Sequence, residues 1–391
     1  MNYPLDIHKV SSSQIGQELY SEIARASWST MSPLSIPELS VAIGTSIGSV
    51  RQRNEDRVAI AKVHGANGTE YFVTLVCDGV GGSDMGDVAA SIALAVFLDE
   101  LVYTSIRQPL EVLVPRLVRR VDDRVRDILQ GRGATTLSVL VAAGDGDIIA
   151  TNVGDSRIYA WSPQKDKLMQ VSRDDTLENE LSEFALKDPS ALRLRGLGGS
   201  LSQAIGETGR TSDDLRIKLL GRELFPDGAV LATDGAWKGA EDGFNAVVKK
   251  APTAANVVTR ALSVANWSGG IDNASLIAVE RISATLSVAY DFSITSPKVS
   301  VWIGNTKLVL VDSSFSSPGR YSIPEVKDKP VMKADIRRAL RKKYVKAKGE
   351  PKTPEQLDFK IVEDAPSPRK KDPRADLEIS IEPTPKKESD S

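Results

Sequence analysis

Histidine and cysteine are almost missing from this chain: its 391 residues include two histidines and one cysteine. A single cysteine cannot form an internal disulfide, which fits a reducing compartment. His8 and His64 are the only histidines and neither adjoins a nucleophile-like motif, which disfavours histidine-driven triads and histidine-rich zinc sites. Cys77 is followed by Asp78 and glycines, not by the arginine-ended loop of a cysteine-based phosphatase. The chain therefore offers carboxylates and arginines as its chemical groups.

Other features are also lacking. No apolar run approaches the ~20 residues of a membrane span, and the polar start has no signal-peptide core. A dinucleotide fingerprint and a phosphate-cradling glycine-lysine-serine loop are both absent. The formal charge of −2 argues against a general nucleic-acid surface. We therefore expect a cytoplasmic protein that neither spans a membrane nor binds nucleic acid.

Three aspartates lie at the ends of apolar, strand-like runs. Asp78 follows residues 71–77, Asp234 follows residues 229–233, and Asp272 precedes residues 274–279. Each alone is typical of a turn, but the repetition predicts that the three converge. Converging carboxylates must take up protons or bind a divalent ion, and the glycines after Asp78 would let the Gly79 carbonyl approach such a cation.

The length indicates one large domain or two modest ones with tails. Changes in composition and hydrophobic pattern along the chain predict an N-terminal appendage (1–40), a main domain (41–282), a small β extension (283–331), a basic helix (332–350) and a disordered tail (351–391). The appendage carries a helix with Ile15, Leu19 and Ile23 on one face, either as a strap on the domain or as a docking element for a partner. Irregular residues 171–206 are either a surface segment or a flap over the site.

Residues 332–348 place basic side chains around an apolar stripe. The simplest interpretation is a solvated helix that leans on the domain, and the sharper one is a helix that binds an acidic partner. An interaction protein whose activity resides in this helix is therefore one alternative to an enzyme.

Oxygen ligands prefer hard cations such as Mg²⁺ or Mn²⁺. Two such ions can acidify a bridging water, whose hydroxide attacks phosphorus in line, while the ions and an arginine neutralise the phosphoryl oxygens. Arginine suits that task because its donors form a fixed fork.

An ordered set of motifs carries a family resemblance over residues 41–282. The set comprises Arg51-x-x-Asn54-Glu55-Asp56, Asp78-Gly79-Val80-Gly81-Gly82, Gly133-Ala134-Thr135-Thr136, Val153-Gly154-Asp155-Ser156-Arg157, Asp234-Gly235 and Asp272-Asn273. It resembles the PPM-type metal-dependent protein phosphatases, the protein phosphatase 2C family, and its short Asn54-Glu55-Asp56 form resembles bacterial members. One motif alone would be weak evidence, whereas all of them in order is strong.

The resemblance implies an α+β fold, a four-layer α-β-β-α sandwich of two antiparallel sheets flanked by helices. It implies a centre of two Mn²⁺ or Mg²⁺ ions, with a third, weaker ion in some members. The implied substrates are phosphoserine and phosphothreonine proteins, so that the enzyme would oppose a serine/threonine kinase. A catalytically silent scaffold or phosphoprotein-binding module of the same fold is the alternative.

The resemblance also implies roles for the metal-binding residues. Asp78 would bridge the two ions and the Gly79 carbonyl would ligate one of them. Asp234 and Asp272 would complete the other ion. Asp155, with Asp234, matches the third position, although the alternative for Asp155-Ser156-Arg157 is a tight turn.

The resemblance implies three further roles: Glu55 and Asp56 would hold metal-bound waters, and Arg51 would receive the phosphate. Arg53 and Arg57 are expected to be solvated charges.

Two residues depart from the family pattern. Val80 replaces a histidine that some members carry and that has been proposed as a general acid, so proton delivery must come from another source. Lys238 stands where the family often has another aspartate, which weakens the case for a third ion. Lys238 could instead contact the substrate phosphate.

Overall fold

The central strands of both sheets are buried along nearly their whole length, because helices cover the outer faces of two sheets that pack against each other. The structure is a computed structural model that describes residues 5–80, 84–183, 199–285, 296–315 and 377–383. One sheet has six strands in the order β1-β2-β11-β10-β7-β8, and the other has eight in the order β14-β13-β12-β3-β4-β5-β6-β9. Every strand pairing is antiparallel. The predicted α+β sandwich fold is confirmed.

The strands, in chain order, are β1 Thr30–Ile36, β2 Val41–Ser46, β3 Arg57–His64, β4 Glu70–Cys77, β5 Leu137–Ala143, β6 Ile148–Val153, β7 Arg157–Ser162, β8 Lys167–Gln170, β9 Lys218–Gly221, β10 Gly228–Ala232, β11 Ala274–Val279, β12 Lys298–Ile303, β13 Thr306–Asp312 and β14 Leu377–Pro383. The helices are α1 Ile7–Val10, α2 Gln14–Arg25, α3 Gly86–Val102, α4 Leu110–Leu129, α5 Leu177–Glu183, α6 Asp234–Trp237, α7 Glu241–Lys249, α8 Ala254–Trp267 and α9 Ile282–Thr285.

The helices divide between the two sheets according to their apolar faces. Helix α3 is apolar on all sides because it lies between the eight-stranded sheet, α2 and α4. Helix α4 is amphipathic and buries Leu117, Val121 and Val125. Helix α8 packs on β2 and β11 and covers the outer face of the six-stranded sheet. No helix in the described part of the chain combines the length and apolarity needed to cross a membrane.

The N-terminal segment packs on α3. Helix α2 buries Ile15, Leu19 and Ile23, as predicted, and begins where the Ser13 hydroxyl accepts a hydrogen bond from the Gly16 amide. Strand β1 then joins the six-stranded sheet beside β2. This arrangement corresponds to the strap interpretation.

The C-terminal strands extend the eight-stranded sheet. Strands β12 and β13 form a hairpin, and β12 pairs with β3. Strand β14 pairs with β13, so the prediction of disorder throughout 351–391 is wrong at Leu377–Pro383. Residues 377–381 alternate apolar and polar side chains, a pattern that can pair with the free edge of β13. Residues 286–295 and 316–331 of the predicted β extension and the basic helix at 332–350 lie outside the described residues, and the domain boundaries stay predictions.

A buried carboxylate ties the N-terminal segment to α3. The hydroxyls of Ser11 and Ser13 both donate to Asp99. Burial raises the pKa of Asp99, with Glu100 adding to the rise and the two serines and Arg124 opposing it. A carboxyl whose pKa is higher in the folded state stabilises the fold below its unfolded value of about 3.9, and that contribution is lost as pH rises through the folded value.

We expect the Asp99→Asn variant, which cannot titrate, to gain stability relative to the wild type as pH rises from about 4.5 to 8. Urea unfolding of both proteins across this pH range measures the difference in the free energy of unfolding. A difference that stays constant with pH would contradict the prediction.

Candidate functional site

The predicted site residues meet at one end of both sheets. A cavity of about 470 Å³ is lined there by Arg51, Glu55, Asp78, Gly79, Asp155, Asp234 and Asp272. Asp78 and Asp155 follow strands β4 and β6 of the eight-stranded sheet, whereas Asp234 and Asp272 flank β10 and β11 of the six-stranded sheet. Asp56, the remaining predicted residue, is buried beside this cavity without lining it. The two sheets thus deliver carboxylates to a common space.

The backbone of Asp78 is fully engaged, which fixes its position. Its amide donates to the Thr136 hydroxyl over 3.0 Å. Its carbonyl accepts hydrogen bonds from the Thr136 amide (2.8 Å) and the Thr135 hydroxyl (2.9 Å). The Asp78 carboxylate is therefore held at the cavity without having to satisfy its own main chain.

Two glycines allow the close backbone contacts that shape the site. A Cβ on Gly79 would lie 2.5 Å from the carbonyl carbon of Gly86, where α3 begins. A Cβ on Gly235 would lie 2.0 Å from the Asn273 carbonyl oxygen. The sequence predicts a glycine at position 79 because its carbonyl must approach a cation. The structure gives a second reason for glycine there, because the end of β4 packs against the start of α3.

Asn273 joins the loops that carry Glu55 and Asp272. Its Oδ1 accepts a hydrogen bond from the Glu55 amide over 2.8 Å, and its Nδ2 donates to the carbonyls of Ile47 (2.9 Å) and Arg53 (3.1 Å). Asn273 belongs to one of the sequence motifs, but the motif predicted no role for it. Its place directly after a cavity aspartate was the only signal for it in the sequence.

Asp56 is held in a buried polar pocket. Its Oδ2 accepts from the Thr233 hydroxyl over 3.0 Å, and its amide donates to Asn54 Oδ1. Its Oδ1 accepts no hydrogen bond from any described residue. Thr233 directly precedes Asp234, so this bond links the loops of two predicted site residues.

Carboxylates in this cavity raise one another's pKa values. The pKa of Asp78 is raised well above its ordinary range by burial and then by repulsion from Asp56 and Asp234. Burial, followed by repulsion from Asp234, raises the pKa of Asp155 to about 7. Burial raises the pKa of Asp56 to about 7 as well. The cavity is therefore short of positive charge.

Two cationic side chains offset part of this charge. Arg51 Nη2 lies 2.8 Å from Asp272 Oδ2. Lys238 Nζ lies 3.0 Å from Asp234 Oδ2 and 3.9 Å from Asp155 Oδ2. Burial disfavours the charged ammonium, but Asp234 and Asp155 outweigh it and the pKa of Lys238 is raised.

The oxygen donors at the cavity are of the kind that binds a hard divalent ion, but their positions do not yet form a coordination site. The cavity offers carboxylate oxygens and the unsatisfied Asp56 Oδ1 lies beside it. Within the described ranges, no three acidic, histidine or cysteine side chains are grouped closely enough to hold a metal ion. Arg51 and Lys238 instead pair with three of the carboxylates. Ion binding would thus require these pairs to open.

Arg53 and Arg57, two arginines in and next to the first motif, differ in how far their side chains are exposed. Arg57, expected to be solvated, is buried: its guanidinium donates to Ser91 and to the carbonyls of Asn54 and Asp56. The expectation for Arg57 is wrong because the main chain before β3 folds back over its side chain. Arg53 is 61% exposed in its side chain and keeps the predicted solvation.

Arg157 fastens the segment after Asp155 to its surroundings. Its guanidinium binds Asp174 and Glu241, and its central carbon lies 3.3 Å from the Trp237 ring centroid. Arg157 therefore supports the neighbourhood of Lys238 instead of the cavity itself.

Part of the predicted flap closes one side of the cavity. Gly199, Ser200, Leu201 and Ala204 line it, and Ile205 exchanges two backbone hydrogen bonds with Thr135. Residues 184–198 lie outside the described residues, so the flap interpretation of 171–206 stays a prediction.

Known proteins resemble this chain over its main domain. A serine/threonine phosphatase stp of Listeria innocua is 25% identical over 250 residues, which cover 61% of this chain and 94% of the relative. The structure of the S. agalactiae serine/threonine phosphatase matches with a TM-score of 0.52 at 20% identity, covering 62% of this chain and 98% of the other. Stp1 from Staphylococcus aureus matches with a TM-score of 0.53 at 18% identity, covering 65% and 99%. No family model matches the chain.

The structural matches show a shared fold, and the sequence match extends over nearly the whole of the relative. The chain thus resembles bacterial serine/threonine phosphatases in sequence and in fold, which is the class that its motifs predict.

The contact of Gly235 with Asn273 generates a prediction with a matched control. We expect Gly235→Ala to lower the free energy of unfolding by about 1–3 kcal/mol, because the new methyl group would collide with a backbone oxygen that cannot move alone. Gly239 lies four residues later, and its nearest neighbour to a new Cβ is a serine hydroxyl at 3.5 Å. Gly239→Ala should stay within about 0.5 kcal/mol of the wild type. Chemical denaturation compares the two, and equal effects would contradict the prediction.

Proposed function

We propose that this chain is a metal-dependent phosphoprotein phosphatase that hydrolyses phosphoserine and phosphothreonine. The observation that carries the proposal is the convergence of Asp78, Asp155, Asp234 and Asp272 from two sheets on one cavity, with Arg51 at the same cavity. The similarity to serine/threonine phosphatases along the main domain supports the same activity.

We propose for the carboxylates the roles that the family resemblance implies. Asp78, the Gly79 carbonyl, Asp234 and Asp272 would hold two Mn²⁺ or Mg²⁺ ions, and Glu55 and Asp56 would orient water. Bound divalent ions supply an acidified water as nucleophile and neutralise charge on the phosphoryl group. The raised pKa values of Asp78 and Asp155 are consistent with carboxylates that lack this counter-charge.

Arg51 would recognise the phosphoryl group. Its side chain is 39% exposed at the cavity, and its pairing with Asp272 leaves donors of the guanidinium fork for phosphate oxygens. Binding of an ion by Asp272 would release Arg51 from this pair. We therefore propose that the arginine exchanges a carboxylate partner for the phosphate of the substrate.

Among the described residues that line the cavity, none is a histidine that could protonate the leaving oxygen. Val80 lines the cavity where some relatives of this class carry one. Water or a cavity carboxylic acid would then deliver this proton.

The substrates would be products of a serine/threonine kinase, which the phosphatase would oppose. The basic residues 332–348 lie outside the described residues, and binding of an acidic partner there stays a prediction. Deletion of residues 332–348, which leaves strand β14 in the chain, would separate targeting from hydrolysis.

Asp78→Asn tests the proposed activity. We expect the variant to release phosphate from a phosphothreonine peptide at least about 10²-fold more slowly in the presence of Mn²⁺. The reason is that the substitution removes the negative charge of a carboxylate that would hold the ions. Asp145→Asn, in an exposed hairpin turn where Asp145 pairs with Arg107, serves as the matched control and should keep wild-type activity.

Equal rates in the wild type and the Asp78→Asn variant would overturn the proposal. A wild type that binds phosphopeptides without Mn²⁺-dependent turnover would support the scaffold or phosphoprotein-binding alternative instead.

We further propose that the centre holds two ions and that Lys238 takes the place of a third. Its ammonium pairs with both Asp155 and Asp234, the two carboxylates that the family resemblance assigns to the third position. A resident cation there repels a divalent ion and occupies its ligands.

Titration calorimetry with Mn²⁺ tests the number of ions. We expect two sites per chain for the wild type, and a third site, or a weak site strengthened about tenfold, in Lys238→Met, because Asp155 and Asp234 lose their ammonium partner. Lys249→Met, an exposed lysine on α7, is the control for loss of charge. Three equal sites in both wild type and Lys238→Met would contradict the proposal.

A further inference from the structure

Three large apolar side chains are exposed on the two loops that carry Arg51 and Asp272 and at the helix end that precedes the second loop. Val50 is 64% exposed, Trp267 is 90% exposed and Ile271 is 68% exposed. They make up half of the exposed large hydrophobic residues in the described part of the chain, the others being Ile106, Val112 and Met169. Because exposed apolar side chains grouped beside a functional cavity are uncommon, this grouping requires an explanation.

The two loops are fastened to each other. The Ser49 amide donates to the Gly270 carbonyl over 2.7 Å, and Arg51 binds Asp272 over 2.8 Å. The pairing is close, since a Cβ on Gly48 would lie 2.5 Å from the Asp272 carbonyl oxygen. Val50 and Ile271 lie within this cross-linked pair of loops. Trp267 ends α8, at the start of the turn that leads to Ile271.

Val50 directly precedes Arg51, and Ile271 directly precedes Asp272. Each cavity residue is thus preceded in the chain by an apolar side chain that is exposed to solvent instead of lining the cavity. We name Val50, Trp267 and Ile271 the rim patch. A group that enters the cavity on a polypeptide must bring its neighbouring residues past these loops.

We propose that the rim patch binds apolar residues that flank the phosphorylated residue of a protein substrate. This inference rests on the proposed phosphatase function, and it names a substrate class: phosphoserine or phosphothreonine with a leucine-like or aromatic neighbour. The occupant is inferred from continuity, because the patch adjoins the residues that would hold the phosphate.

The charge around the patch favours the same occupant. Arg51 and Asp272 neutralise each other at 2.8 Å, and in the proposed substrate complex the phosphate and an ion would neutralise them instead, so neither residue would select a charged neighbour. Contact with an apolar flanking side chain removes apolar area of both partners from water. Selectivity of about tenfold in kcat/KM is expected from partial burial of one such side chain.

Kinetics with paired peptides tests the inference. Two phosphothreonine peptides differ only in the flanking residues, leucine in one and serine in the other, and p-nitrophenyl phosphate serves as a substrate without flanks. We expect the wild type to hydrolyse the leucine peptide about tenfold faster in kcat/KM. The double variant Trp267→Ser/Ile271→Ser should lose this preference while its rate on p-nitrophenyl phosphate is unchanged.

Ile106→Ser is the matched control, because Ile106 is 66% exposed, as Ile271 is, but lies in the loop between α3 and α4. This variant should keep the tenfold preference. Equal kcat/KM for the two peptides in the wild type would overturn the inference. Failure of the wild type to hydrolyse p-nitrophenyl phosphate with Mn²⁺ would overturn the proposed function instead, so the two failures are distinguishable.

Fluorescence provides a readout that does not depend on turnover. The other tryptophans, Trp28, Trp161, Trp237 and Trp302, are at most 7% exposed, so Trp267 alone reports a solvated indole. In Asp78→Asn, the leucine phosphopeptide should shift the emission to shorter wavelength and protect Trp267 from acrylamide, and the serine peptide should not.

Two other occupants of the patch would be recognised in the same assay. Protection of Trp267 that is present without peptide and is lost on dilution would indicate a second copy of this chain. Protection that is present without peptide at every dilution would indicate a segment of the same chain. Either outcome would overturn the inference.

Discussion

Mutual repulsion of carboxylates is the constraint on which this structure depends. Asp78, Asp155, Asp234 and Asp272 share one cavity, and each is placed there by a backbone segment that has other hydrogen-bonding partners. Left to their charges alone, they would separate or take up protons. Arg51 and Lys238 compensate part of the charge, and the pKa of Asp78 shows that the compensation is incomplete. The cavity therefore has affinity for further positive charge.

The fold resists this repulsion with contacts that are mostly uncharged. Gly235 and Gly79 allow backbone to touch backbone, and Asn273 ties three segments together with its side-chain amide. Thr136 and Thr233 hold the two strand ends through their hydroxyls. These groups do not change charge when an ion or a phosphate binds, so they can keep the loops in place while the ion pairs of Arg51 and Lys238 rearrange. Separating the rigid framework from the exchangeable charges is what would let the cavity bind without refolding.

The sequence was sufficient to predict which carboxylates meet, but not how they are held. Asp78, Asp234 and Asp272 stand out because each adjoins an apolar run, and the ordered motifs identify the two-sheet fold. The role of Asn273 depends on carbonyls of Ile47 and Arg53, more than 200 positions away in the chain, and no local pattern encodes such pairs. Arg57 is of a residue type that is usually exposed, and only the path of the chain before β3 buries it. Strand β14 requires the free edge of β13, a property of the assembled sheet.

The two proposals place catalysis and substrate choice in different chemical environments. Charged groups inside the cavity would recognise phosphate, which every phosphorylated residue presents, and so they would not distinguish one substrate from another. Discrimination would then come from residues around the entrance, where Trp267, Val50 and Ile271 are apolar and exposed. An apolar rim contributes little binding to free phosphate, so it can favour a chosen protein substrate without retaining the small product. Because Val50 and Ile271 sit on the same loops as Arg51 and Asp272, a flanking residue bound at the rim would also set the depth to which the phosphoryl group enters.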